Sequence, residues 1–458
     1  MKWSYIFVFM LTSLMGHDLF AKRKLKKKEQ RELALSVRTQ ALEKGFTPMP
    51  APPKVRKSLV RLGKALVFDK ELSGNRDIAC MTCHLPQFGT ADGRHLSMGQ
   101  GGQGIGPERV GGPLIPRNAP PLFNMHVLDT LFWDGRVSVK NGVISSPAGN
   151  QITEDMKKVF EFGAISVLPL FPVTSREEMR GFDVTENELA AVDDNNFTLI
   201  WQRIMKRLGR IPKYRRMFQK AYPGTKFSEM NAAHFANAIG GFFVAKLATL
   251  RSPWDRFLKG RLRALSDKQL AGANVFLNAP CSQCHTGNDQ SDDKFHNVVL
   301  AQFGPGAGDG PYGNDDFGHE KVTGLESDRY KFRTTPLRMV EITGPFGHAG
   351  QFVDLADFIF HYSEQDIKLR NYDTSQLPAN LANTLVDNTE EIIDRTSPII
   401  KGVVFTRENA ELLAEFMTAF TDARFCDLNR LVPRSVPSGS SLDEFRGMTN
   451  GCSKQRYK

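Results

Sequence analysis

Apolar positions recur at helical spacing over long parts of this chain. The pattern begins near Glu29, and Pro53 to Phe68 sets Leu59, Leu62, Leu66 and Val67 on one face, which predicts an amphipathic helix. Ser228 to Leu250 is apolar along much of its length and predicts a second, more deeply buried helix. Arg407 to Thr421 turns Leu412, Leu413, Phe416, Met417 and Phe420 inward and predicts a closing helix. Ser266-Asp267-Lys268-Gln269 reads as a capping box that opens another. Between these lie Gly99 to Pro121 and Gly304 to Gly318, whose glycines and prolines predict loops. No short-period repeat is present, and the periodicity fades after Asp422. The pattern predicts a mainly α chain.

Two pentapeptides change the picture. Cys80-Met81-Thr82-Cys83-His84 and Cys281-Ser282-Gln283-Cys284-His285 are both C-x-x-C-H, the attachment signature of c-type haem. Thiols one helical turn apart add to the two vinyl groups of one porphyrin, and the adjacent imidazole ligates its iron. A redox C-x-x-C has no use for the histidine, and a structural zinc site draws four ligands into one cluster. The duplication predicts two cytochrome c-like haem domains packed against each other, 34–255 around the first motif and 256–435 around the second, then an irregular tail at 436–458. A chain of 458 residues with 41% hydrophobic residues and 33 Phe can bury two macrocycles. The loop from Gly99 to Pro121 suits a crossing over a haem face.

Charge and the remaining cysteines bear on location. Residues 1–21 read as an export signal, with Met1-Lys2-Trp3, an apolar core from Ile6 to Met15, and cleavage after Ala21; the alternative is an uncleaved interfacial anchor. That core is shorter than the roughly twenty residues a membrane-spanning helix needs. The expected location is the periplasm, with no transmembrane span. In the basic arm 22–33, Lys22, Arg23, Lys24, Lys26, Lys27 and Lys28 concentrate much of the formal charge of +10, as a solvated arm does. No nucleic-acid motif accompanies it. Cys426 and Cys452 either pair, stabilising the fold by roughly 3 kcal/mol, or remain two free thiols.

Several further motifs carry a resemblance. Leu72-Ser73-Gly74-Asn75, Arg117-Asn118-Ala119-Pro120, Phe132-Trp133-Asp134-Gly135-Arg136, Glu178-Met179, and the run from Lys331 through Arg338 and Thr343-Gly344-Pro345 to His348-Ala349-Gly350 resemble the bacterial diheme cytochrome c peroxidase family, including its MauG branch. The resemblance runs from about Leu59 to Thr421. It implies that the haem on His84 reacts with hydrogen peroxide and the haem on His285 relays electrons. Many members place a histidine ligand on the loop after the first haem. Ser97-Met98-Gly99-Gln100 puts Gln100 there instead, which implies a five-coordinate iron, with His95 as the rival ligand. Glu178 matches the glutamate that moves the peroxide proton. Ser175-x-x-Glu178 is also a capping box, and Glu177 is the fallback. Several tens of additional residues separate Trp133 from Glu178 relative to the compact members.

At the second haem, the Met that the family places fourteen residues after His348 is Tyr362 here. A hard oxygen donor favours the oxidised metal, as in the MauG branch. The alternatives are bis-imidazole ligation through His361, or a tyrosine that ligates nothing. Trp133 matches the family's relay between haems. The family's calcium ion implies ligation by the Asn118 side chain and the carbonyls of Thr343 and Pro345. The resemblance thus implies an exported peroxidase with two covalently bound haem c groups and one calcium, with a homodimer among its expected assemblies. Its electrons would come from a cytochrome c or small copper protein, or from a side chain of a partner protein. The competing reading is a non-enzymatic diheme electron carrier with both irons six-coordinate.

Overall fold

The computed structural model describes residues 26–445, so the expected export signal and Cys452 lie outside the described residues. The principal helices are α1 (Lys27–Glu43), α2 (Lys57–Phe68), α3 (Phe197–Arg210), α4 (Pro212–Ala221), α5 (Ala232–Lys246), α6 (Asp267–Asn278), α7 (Leu355–His361) and α8 (Arg407–Met417). Strands are few. β1 (Thr130–Leu131), β2 (Val137–Lys140) and β3 (Val143–Ser145) form an antiparallel sheet with Leu131 opposite Val137 and Val139 opposite Ile144. β4 (Phe295–His296) pairs antiparallel with β5 (Phe332–Arg333).

Helix ends follow their caps more closely than their hydrophobic runs. α2 starts at Lys57 rather than Pro53, since the chain through Pro52-Pro53 stays non-helical up to Arg56 (φ −57°, ψ 132°). α5 starts after Asn231, whose side chain accepts from Ala233 N–H at 3.0 Å, so Ser228 belongs to a separate short turn. α6 opens with both bonds of the Ser266–Gln269 capping box. α8 tightens into a 3₁₀ turn at Thr418–Phe420.

Among the described residues there are four hydrophobic clusters, and the two largest hold the main helix crossings. In the first, α2 crosses α5 at Gly63, where a Cβ would fall 1.9 Å from the Ala238 carbonyl oxygen. In the second, α6 crosses α8 at Gly272, where a Cβ would fall 2.0 Å from the Leu412 carbonyl oxygen. Each motif C-x-x-C-H therefore follows a helix that meets its partner through a glycine, which permits backbone-to-backbone approach. Trp254 anchors the second core, stacked on Phe257 at 5.5 Å and edge-on to Phe416 at 5.1 Å.

The ends of the described chain are crossed between the two cores. α1 packs in the second core through Ala34, Val37 and Ala41, and Arg38 Nε donates to the Leu258 carbonyl at 3.0 Å. Residues from Phe425 to Phe445 return to the first core, where Phe445 meets Phe68 at 5.4 Å and Ser438 Oγ donates to Asp69 at 2.7 Å. The tail lacks long helices yet is packed. Cys426 is disulfide-bonded, whereas Cys80, Cys83, Cys281 and Cys284 are free thiols.

Candidate functional site

The two attachment motifs are built alike. Cys80–Cys83 and Cys281–Cys284 each form one helical turn, and the following histidine caps it. His84 Nδ1 bonds the Thr90 carbonyl at 2.9 Å, and His285 Nδ1 bonds the Gln290 carbonyl at 3.0 Å. Thr90 and Gln290 both adopt left-handed backbone, φ 65° and 59°, which turns those carbonyls back toward the rings. A bond at Nδ1 leaves Nε2 as the ring nitrogen that would ligate a metal. Each motif also opens on a cavity that holds both thiols and the imidazole, so the residues fit a covalently bound haem at each place.

The first cavity has a volume of about 690 Å³ and is lined by Cys80, Cys83, His84, Trp133, Arg136 and Glu178. Glu178 sits on a π-helical turn, Arg176–Arg180, in which Arg180 N–H bonds Ser175 O at 2.8 Å and Gly181 N–H bonds Arg176 O at 3.0 Å. Such turns add a residue to the helix register and re-aim side chains. Two glycines hold it in place. A Cβ on Gly74 would lie 1.8 Å from the Arg180 oxygen, and one on Gly99 would lie 1.7 Å from the Glu177 oxygen. Only half of the expected capping box forms: Ser175 Oγ accepts from Glu178 N–H at 3.3 Å, while the Glu178 carboxylate lines the cavity. Burial raises the Glu178 pKa, opposed chiefly by Arg136, whose Nη2 lies 3.9 Å from Oε1.

Gln100 and His95 do not line this cavity. Gln100 is buried against Gly181 and Asp77, its Nε2 3.4 Å from Asp77 Oδ2. His95 Nδ1 contacts the Gly350 carbonyl at 2.6 Å, so it ties the two halves together. Neither the Gln100 nor the His95 side chain is therefore brought to the wall of the first cavity, where the sequence reading set them. Glu177 lines the cavity beside Glu178.

The second cavity is smaller, about 190 Å³, and is lined by Cys281, Cys284, His285, His296, His348 and Tyr362. Tyr362 follows α7, and burial raises its phenol pKa. The neighbouring His361 is absent from the lining; its Nε2 bonds the Val298 carbonyl at 3.1 Å. Of the two neighbours, only Tyr362 is on the wall of the second cavity. His296, which the sequence did not single out, contacts Asp292 at 3.0 Å and Cys284 Sγ at 3.6 Å; the Asp292 bond pushes it up to about 9. His348 stacks on Phe332 at 3.7 Å, and burial lowers it to about 3.

Trp133 and Asn118 line both cavities. Trp133 follows β1, its Nε1 donates to the Asn118 carbonyl at 2.9 Å, and its ring meets His348 edge-on at 6.5 Å. Its own carbonyl accepts from Arg333 N–H at 2.8 Å, which joins β5 to the segment after β1. Gly135 is required here, since it has φ 77° and its Cβ would fall 2.3 Å from the Phe295 ring. Arg117 bridges the halves, bonding Asp134 at 2.5 Å and Asp316 at 2.7 and 2.8 Å. Asn118 Nδ2 donates to the Arg94 and His95 carbonyls at 2.7 and 3.2 Å, and Thr343 and Pro345 share the second cavity's wall with it. The ionic roles of Arg136, Arg117 and Asp316 were missed, although the first two lie in quoted motifs.

Comparison with known proteins gives consistent matches. Residues 57–263 match the di-haem cytochrome c peroxidase family model. The chain is 31% identical over 300 residues to cytochrome c551 peroxidase of Pseudomonas aeruginosa, covering 65% of this chain and 69% of that protein. It is 26% identical over 316 residues to the methylamine utilization protein MauG of Methylorubrum extorquens, covering 69% of this chain and 71% of that one. In fold it is similar to a MauG-like protein associated with microbial copper homeostasis, with TM-score 0.59, 23% identity, and coverage of 84% and 97% of the two chains. The diheme peroxidase BthA of Burkholderia thailandensis gives TM-score 0.56 at 17% identity, covering 87% of this chain and 95% of its own.

Proposed function

Because the chain belongs to the di-haem cytochrome c peroxidase family, we propose that it is an exported, MauG-like peroxidase of two cytochrome c-like haem domains, able to react with hydrogen peroxide in its resting oxidised state. The observation that carries this reading is the pairing of Glu178 with a first cavity in which, among the described residues, His84 is the one histidine on the wall. An imidazole that blocked the far side of the iron would have to line that cavity.

Cys80, Cys83 and His84 would hold the first haem, and Cys281, Cys284 and His285 the second, with the Tyr362 oxygen as a further donor to the second. When bound, the haems supply the iron that takes up peroxide and the store for two oxidising equivalents. Glu178 Oε1 takes the proton from one peroxide oxygen and returns it to the other, which leaves as water. Trp133, with its indole N–H fixed on the Asn118 carbonyl, stands between the two cavities as the relay. Two electrons and two protons complete the reduction of peroxide to two waters, and a partner protein supplies those electrons. Tyr362 in place of a thioether favours storage of oxidising power, so a side chain of a partner protein is preferred to a small carrier as their source.

A calcium ion fits between the halves. Asn118 spends its amide N–H groups on two carbonyls, so its Oδ1 would join the carbonyls of Thr343 and Pro345, residues of the same cavity wall, in the oxygen set that a hard cation takes.

Electron paramagnetic resonance of the oxidised protein, before and after one equivalent of peroxide, tests the reading. One high-spin and one low-spin ferric signal, both lost on peroxide, are expected; two low-spin signals indifferent to peroxide overturn it in favour of an electron carrier. Tyr362→Phe should change the low-spin signal alone, and an unchanged spectrum removes Tyr362 as ligand.

A further inference from the structure

We infer that Arg136 is a positioning residue that keeps Glu178 available as a base; this rests on the reading of Glu178 as the proton shuttle. A buried carboxyl with no counter-charge stays protonated, and a neutral acid cannot accept the peroxide proton. A tight bidentate ion pair errs the other way, since it lowers the carboxylate's proton affinity and occupies its oxygens. Arg136 lies between these extremes. Its Nη2 stands 3.9 Å from Glu178 Oε1, beyond hydrogen-bond distance, and both side chains line the first cavity.

The guanidinium is fixed from two other sides. It lies over the Phe132 ring at 3.7 Å, and its Nη1 donates to Asp134 Oδ2 at 3.0 Å while its backbone N–H donates to Asp134 Oδ1 at 3.1 Å. Asp134 is buried and shared with Arg117, whose other carboxylate partner, Asp316, comes from the second half of the chain. Four charges therefore face Glu178. Arg136 and Arg117 favour its carboxylate form, and Glu177 and Asp134 oppose it. Asp134 offsets part of the Arg136 charge, so the guanidinium opposes the effect of burial on Glu178 without cancelling it.

The test uses the haem-loaded protein and two readouts. One is an infrared titration of the Glu178 carboxyl, identified by its loss in Glu178→Gln. The other is the pH profile of the second-order rate with peroxide. Arg136→Gln is expected to move both midpoints up by about one pH unit, and Arg136→Lys to hold them near the parent value. Asp134→Asn is expected to move them down, because it removes a negative charge and frees that of Arg136. Visible spectra that match the parent's check that each variant retains both haems. A lower rate in Arg136→Gln with neither midpoint moved overturns the inference and leaves the Glu178 reading intact. An acid limb that survives in Glu178→Gln overturns the reading, and the inference with it.

Discussion

The two cavities share their attachment parts and differ in what faces the haem. Both have the same helical turn, a carbonyl from a left-handed residue on the histidine Nδ1, and a preceding helix that crosses its partner at a glycine. Both motifs are even gripped through an interior residue by a distant part of the chain. Thr82 donates to Asp443 near one end, and Ser282 accepts from Lys44 near the other at 3.4 Å. Across from the thiols the likeness stops. The first cavity presents Glu178 and Arg136 around about 690 Å³ of space; the second presents Tyr362 and His348 around about 190 Å³. The attachment turn is thus duplicated, while the segments that complete each cavity differ.

The largest expected effect breaks that asymmetry at its polar end. Glu178→Gln should slow peroxide consumption by about 10²- to 10⁴-fold while leaving the second haem's spectrum as it was. A normal rate would mean the two cavities do not differ in the way described. Because burial raises the Glu178 pKa, the acid limb of the parent's peroxide profile should lie above the ordinary carboxylate range.

The paired helix crossings sharpen the comparison next. Gly63→Ala should destabilise the first core and Gly272→Ala the second, each by about 1 to 3 kcal/mol from overpacking against a carbonyl. Thermal melts followed at each haem's own absorption would resolve them, and equal losses at both haems in either variant would show that the cores do not melt separately.

Acid should act on the second half through a buried histidine. His348 is held neutral down to about 3 by burial, against about 6.5 in an unfolded chain. A depressed folded value means this contribution is complete above about pH 6.5 and falls as pH drops toward 3, by about 1.4 kcal/mol per unit. His348→Phe should flatten that slope in urea melts run from neutral pH downward; an unchanged slope assigns the acid sensitivity elsewhere.

The smallest effects belong to the crossed ends. Thr82→Val should cost about 1 kcal/mol at the first haem, since Asp443 keeps Lys70 at 2.7 Å, and Lys44→Met should cost less at the second because its bond is long. A calorimetric scan that ranks them the other way would reverse the assignment of the stronger grip.

The sequence by itself determined the parts whose chemistry is local. C-x-x-C-H places two thiols and an imidazole within one turn whatever the surroundings, and helix periodicity with its caps yielded α2, α5, α6 and α8 within a few residues. The glycines of the motifs at Gly74 and Gly99 were visible, but the reason for them was not, because each answers to a carbonyl about eighty to one hundred residues away. Which of two adjacent residues turns to the cavity, Tyr362 over His361 or Glu178 over a helix cap, depends on the phase of a short helix and on one π-helical turn. The fate of Gln100 and His95 depends on which neighbour takes up a polar group in a loop without periodicity. The crossing of α1 and the tail was decided by tertiary structure alone. Apolar faces carry no address, and burial joins whichever surfaces the rest of the fold leaves open.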